Sequence, residues 1–245
     1  MKIYLAGSTG DLEFLHKLDE KEVLVTYPLV KDKKEWIQPS YFLDSGAFSA
    51  FTRGAKIDIQ QYIQFIKDNK ISIYASLDVI GDAKKSYENY LIMRQAGLRP
   101  IPAFHYGEDF AFFEEYLETE DYVAIGGVAQ LKMTDRLIPF LDKCFRTVHK
   151  YWPKKIHGFA ITRTALLKRY PFYSVDSTSW IVPRKFAEMN KFHKGQLFRI
   201  KKRHSKPLTE LLDGNERNRR EIKEMRKQEE YITRMWEKRG ITFAP

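Results

Sequence analysis

One cysteine, Cys144, stands in a chain of 245 residues. A single thiol excludes an internal disulfide and any structural zinc site built on several thiolates. Its surroundings, FLDKCFRTVHKYW, carry the apolar spacing of a helix, so Cys144 reads as a buried, inert thiol rather than a nucleophile. Long apolar runs are missing too. No stretch approaches the roughly 20 residues that span a bilayer, and the opening MKIYLAGSTG lacks the apolar core of a secretion signal. The expected setting is the cytoplasm, without membrane contact. No H-E-x-x-H, P-loop or GxGxxG pattern occurs, which removes the motif-level case for zinc-peptidase, nucleotide-phosphate or dinucleotide chemistry. Acidic excess is also absent. The formal charge of +10 favours polyanionic partners, although excess charge can serve solubility alone.

What is present is a regular alternation. Short β-rich segments, KIYLAG, EVLVTYP, SYFLDSG, SIYASLDVIG, RPIPAFHYG, DYVAIGGVA, KIHGFAIT and FYSVDSTSW, are separated by stretches of helical periodicity such as DIQQYIQFIKDN. Eight such units predict an α/β fold of the (β/α)8 TIM-like barrel type over residues 1–183, with a doubly wound open sheet as the alternative. The weakest link is LVKDKKEWIQP, between the second and third strands, which makes a poor helix. After Trp180 the character changes. Residues 184–206 hold nine Lys or Arg against the single acid Glu188, and a mixed-charge helix follows, so residues 184–245 read as a basic, helical C-terminal extension.

Polar residues fall where the predicted strands end. YFLD finishes on Asp44, YASLD on Asp78, IPAFH on His105, VAIGG on Gly126 and Gly127, and FYSVD on Asp176. In a barrel these ends converge on one mouth. Taken singly, each has a structural alternative: a strand-end or capping carboxylate, a satisfied core histidine, a tight turn. Taken together they place several carboxylates, one imidazole and an exposed Gly-Gly backbone in one place. That set suits glycosyl chemistry, in which one carboxylate attacks an anomeric carbon, a second moves protons and a third binds a donor-rich ring such as guanine. Binding of Mg2+ or Mn2+ by the same groups stays open on these grounds.

In order along residues 40–182, these segments resemble the queuine and archaeosine tRNA-guanine transglycosylase superfamily, (β/α)8 enzymes that exchange guanine in a nucleic acid for a 7-deazaguanine. LDSGAFSAF is similar to the family's D-S-G-G-F-Q turn, SLDVIGD to its F-D base-recognition segment and IGGVAQ to its G-G-L-A turn. HGFAITRTALLKRYPFYSVDSTSW resembles the stretch from the H-x-x-G strand to the nucleophile in F-D-C. The resemblance implies Asp176 as nucleophile and Asp44 as the proton-transfer group. It implies base contacts from Asp78, His105, Ser45 and the backbone of Gly126, Gly127 and Val128. His105 stands where the family usually has Gln, and Ser177 where it has Cys.

The departures narrow the resemblance. One cysteine cannot build the zinc site of the bacterial and eukaryotic tRNA enzymes, and the chain has no room for the archaeal RNA-binding domains. What remains is most like the compact phage-type branch that inserts 7-deazaguanines, such as preQ0 or a relative, into DNA. The expectations that follow are DNA as partner with tRNA as the alternative, no cofactor, no metal, and a monomer. Other readings are an N-glycoside hydrolase and a non-catalytic nucleic-acid-binding barrel. Arg184, Lys185, Lys201, Lys202 and Arg203 are the candidates for phosphate contacts, and Trp180, Phe192 and Phe198 for stacking on unpaired bases.

Overall fold

The computed structural model describes residues 1–33, 35, 37–128, 131, 133–181, 189–200 and 214–242. Eight strands follow one another in parallel: β1 (Lys2–Ala6), β2 (Val23–Thr26), β3 (Phe42–Asp44), β4 (Ile73–Tyr74), β5 (Ala103–His105), β6 (Tyr122–Gly126), β7 (Lys155–Gly158) and β8 (Ser174–Ser177). The sheet runs β4-β3-β2-β1-β8-β7-β6-β5, so the first and last strands are neighbours, with Tyr4 opposite Asp176. Its two edges meet in a single parallel bridge, Ala75 to Ile101. There the Ser76 N–H donates to the Ile101 carbonyl at 2.9 Å and the Ile101 N–H to the Tyr74 carbonyl at 2.8 Å. The predicted barrel therefore closes, and the open doubly wound sheet is excluded.

The helices between the strands are α1 (Thr9–Lys17), α2 (Tyr27–Val30), α3 (Ala47–Thr52), α4 (Ile59–Asp68), α5 (Ala83–Gln95), α6 (Phe110–Thr119), α7 (Ile138–Lys150) and α8 (Thr164–Arg169). Three of them start on aspartate. Asp58, Asp82 and Asp109 accept the N–H groups of Gln61, Lys85 and Ala111 at 2.9, 3.0 and 3.0 Å, satisfying donors that the first helical turn leaves free. The poor helix after β2 is indeed one turn, α2. Cys144 lies buried on α7, and burial pushes its thiol well up from the ordinary range.

Because strand side chains alternate, the barrel has two cores. Leu43 and Val175 point outward to the helices, whereas Tyr4, Leu24 and Phe42 fill the interior opposite the small Ala75, Ala103 and Ala124. Large residues on one wall and small ones on the other let the interior pack without a pore.

Beyond the barrel, β9 (Met189–His193) and β10 (Gln196–Ile200) form an antiparallel hairpin, and α9 (Gly214–Glu237) returns along the barrel. The helix buries Ile222, Met225, Ile232 and Trp236, and the Trp236 indole donates to the Leu167 carbonyl at 2.9 Å. Glu221 and Glu224 accept the N–H groups of Asn190 and Phe192 at 2.8 and 2.7 Å, tying the hairpin to α9. Among the described residues, no helix is long and apolar enough to cross a membrane.

Candidate active site at the carboxyl ends of the strands

Asp44 is the last residue of β3, and the chain must turn at once to enter α3. Gly46 makes that turn in the left-handed region, at φ 75°, where a Cβ would come within 2.5 Å of Pro28 and 2.7 Å of Thr26. Glycine is thus required by both backbone and space, and its N–H donates to Asp44. Burial pushes the Asp44 carboxyl up to about 7. The Gly46 bond works against that shift, while the negative charges of Asp176 and Asp78 add to it. Ser45, expected at the base, is itself buried, with its hydroxyl accepting the Ala47 N–H at 3.4 Å.

Asp78 lies four residues past β4 and faces His105 at the end of β5. Burial raises Asp78 to about 6, opposed by the nearby imidazole and by a 3.2 Å hydrogen bond from the Ser76 hydroxyl. His105 is flanked on both sides. Its Nε2 is 3.5 Å from Asp78 Oδ2, and its Nδ1 is 3.2 Å from Glu108 Oε1. Burial disfavours the imidazolium, but Asp78, Glu108 and Asp44 together outweigh it and raise the ring above its ordinary value.

His105 also explains the first glycine of the Gly-Gly turn. A Cβ on Gly126 would sit 2.9 Å from His105 Cδ2 and 3.1 Å from Nε2, so the ring needs a bare neighbour on the adjacent strand. The carbonyls of Gly126 and Val128 accept from the Tyr106 and Leu131 amides at 3.3 and 3.0 Å, which holds the turn in place.

Asp176 emerges from β8 and is held from β7. The Ala160 N–H donates to its Oδ1 at 2.8 Å, and Nε2 of the fully buried His157 lies 3.4 Å from the same oxygen. His157 Nδ1 is 2.7 Å from the Ser174 hydroxyl, which in turn hydrogen-bonds the Tyr122 hydroxyl.

The structure thus brings Asp44, Asp78, His105, the Gly126–Val128 turn and Asp176 to one mouth. Arg184, Lys185, Lys201, Lys202 and Arg203 lie outside the described residues. Two stacking candidates are redirected. Trp180 is wholly buried, its indole donating to the Ala6 carbonyl at 2.9 Å, and Phe192 packs edge-on against Tyr231; only Phe198 is exposed. Sequence reasoning missed Glu108, signalled only by its i+3 spacing from His105. It also missed the His157–Ser174 pair, signalled by polar residues at inward positions of core strands. Phe48 and Phe51 of α3, just past Asp44, are 59% and 61% exposed and offer apolar surface beside the turn. Among the described residues, no cluster of three or more His, Cys, Asp or Glu side chains is arranged to hold a metal ion.

No family model matches the chain, and no curated protein matches it. Among solved structures, a chain of the tryptophan synthase a2b2 complex from the hyperthermophile Pyrococcus furiosus is similar. The TM-score is 0.55 over 94% of this chain and 98% of that one, at 11% identity. At that identity the likeness concerns the barrel fold alone.

Proposed function

We propose that the protein is an enzyme, a pentosyltransferase that exchanges guanine in DNA for a 7-deazaguanine through a covalent aspartyl-glycosyl intermediate. The observation that supports this reading best is the meeting of three aspartates, Asp44 of β3, Asp176 of β8 and Asp78 of the segment after β4, with Asp44 raised to about 7 by burial and by the charges of the other two. Such a carboxyl exchanges protons near neutral pH, while Asp176 presents a second carboxylate as nucleophile.

The target nucleotide must first leave the base stack, since its anomeric carbon cannot otherwise reach the mouth. Asp176 then forms a bond to C1′ as the C1′–N9 bond breaks, and guanine departs with the electron pair and takes up a proton with the help of Asp44. The incoming 7-deazaguanine surrenders its N9 proton and attacks C1′. The C1′–oxygen bond breaks and its electron pair returns to Asp176. The ester conserves the glycosidic linkage, so no energy-rich cofactor is consumed. Asp78 accepts from the Watson–Crick edge of the base, with His105 and the Gly126–Val128 backbone on its carbonyl side.

The hairpin supports a polyanionic partner. Residues 189–200 contain no acid, and Lys191 stands opposite Phe198 in register, a cation beside an exposed ring. The test is incorporation of radiolabelled guanine into duplex DNA, single-stranded DNA and tRNA, with Asp176→Ala in parallel. Label entering DNA only with the intact aspartate is the expected result. Label confined to tRNA changes the polymer, release of guanine without incorporation makes the protein a hydrolase, and binding without either makes it a non-catalytic barrel.

A further inference from the structure

Beneath Asp176 the barrel core carries polar groups that an ordinary packed interior would avoid. Tyr122 on β6, His157 on β7 and Ser174 on β8 come from three adjacent strands and share one hydrogen-bonded line. His157 and Ser174 are fully buried, and the imidazole is wedged edge-on between the rings of Phe42 and Phe159, at centroid distances of 4.7 and 4.6 Å. Its Nε2 is one of the few buried side-chain atoms among the described residues without a hydrogen bond, and it lies 3.4 Å from Asp176 Oδ1. Buried polar groups are costly unless they are satisfied, so an unsatisfied one aimed at a reactive carboxylate calls for an account.

For a neutral imidazole the proton can be placed by elimination. With hydrogen on Nδ1, a lone pair on Nε2 would face the Asp176 carboxylate, an arrangement that is repulsive. With hydrogen on Nε2, Nδ1 accepts the Ser174 O–H, and the Ser174 oxygen accepts the Tyr122 O–H. Each hydroxyl then donates once, Ser174 accepts once as well, and the line runs Tyr122 to Ser174 to His157 to Asp176. Hydrogen bonds of this kind are often long before substrate binds and tighten in the reacting complex.

We propose that Tyr122, Ser174 and His157 form a directional chain of positioning residues that secures Asp176 through Oδ1 and leaves Oδ2 as the oxygen that bonds to the substrate. This deepens the transglycosylase reading and rests on it for the identity of the reaction. Ala160, held at φ 57°, supplies the second donor to Oδ1, at 2.8 Å, whereas among the described residues Oδ2 accepts no hydrogen bond. The consequence is asymmetric. When Oδ2 bonds to C1′ the carboxylate loses its charge, and when the incoming base breaks that bond the charge returns, shared with Oδ1. Donors on Oδ1 stabilise the carboxylate as it leaves, so they accelerate breakdown of the intermediate more than its formation.

Two measurements on the full chain test this. Nitrogen-15 NMR of histidine-labelled protein, with the His157 signals assigned through His157→Gln, should show hydrogen on Nε2 and an accepting Nδ1, and Ser174→Ala should weaken that preference. With guanine-containing DNA, Ser174→Ala and Tyr122→Phe should discharge the trapped adduct about ten- to a hundredfold more slowly while forming it at a less altered rate. His157→Gln, which keeps an amide donor, should discharge faster than His157→Leu. Hydrogen on Nδ1, or equal slowing of both steps, overturns the proposal. A wild-type protein that forms no adduct overturns the transglycosylase reading instead, and the NMR measurement then still decides the direction of the chain.

Discussion

At the amino-terminal end of the barrel, Arg226 sits among Glu20, Glu229 and Glu22 at 2.8, 2.7 and 3.7 Å, Arg94 meets Glu120 at 3.3 Å, and Lys154 meets Asp121 at 3.5 Å. At the carboxyl end, Asp44, Asp78, Asp176 and Glu108 share two imidazoles and, among the described residues, no guanidinium or ammonium. The same residue types are thus treated differently at the two ends of the barrel: acids at the base are paired with cations and hold the fold, while acids at the mouth are buried together without one. Burial without a strong cation is what raises Asp44 and Asp78. The proposed function relies on that grouping.

The contrast can be broken at either end. The largest effect is expected for Asp176→Ala, which should abolish adduct formation and lower guanine exchange on the order of 10^4-fold or more while the thermal melt stays cooperative. A surviving adduct would remove Asp176 from its role. Asp44→Asn should follow, with exchange reduced about 10^2- to 10^4-fold in single-turnover assays. At the base the expected signature is reversed: Arg226→Met should cost about 1–3 kcal/mol of stability in denaturant titration, because it strands half-buried acids, and leave the exchange rate of the folded fraction unchanged.

Stability should also depend on pH with a definite sign. Asp44 and Asp78 titrate in the folded state near 7 and 6, above their ordinary 3.8, and His105 is likewise raised. The fold therefore holds these protons more tightly than the unfolded chain does. The stability this contributes is complete below about pH 4 and is lost as pH rises through 6 and 7. Denaturant midpoints should fall from pH 5 to pH 8, by on the order of 2 kcal/mol in stability, and Asp44→Asn should flatten the slope. A smaller effect is expected for Gly126→Ala, whose Cβ displaces His105 and should weaken binding of the free base about tenfold at little cost in stability. The smallest should be a change in salt dependence. Replacing Lys201, Lys202 and Arg203 by Gln should reduce the slope of log affinity for DNA against log salt by about two to three.

Much of the mouth was legible because a strand that ends on a polar residue leaves a local trace. Asp44, Asp78, His105 and Asp176 each terminate an apolar run, and an eightfold alternation places such ends on one rim. Glu108 left a weaker trace, since a carboxylate just before a helix is ordinarily a capping residue; only the ring of His105 beside it gives it another use. His157 and Ser174 were hidden within strands, where a polar residue is as readily solvent-facing as interior. The hairpin of residues 189–200 was obscured by its charge, which reads as loop, and its β pairing is supported by α9 from a later part of the chain.

By itself the sequence determined the alternation of strand and helix, the two-sided packing of each strand and the identity of the groups at the rim, because periodicity and strand ends are local properties. Tertiary structure alone decided that the sheet closes through one bridge at Ala75, that Trp180 is core rather than stacking surface, and that burial pushes the Asp44 carboxyl into the neutral range. Those outcomes depend on which distant groups exclude water from a side chain and which charges lie beside it, and neither is encoded in neighbouring residues.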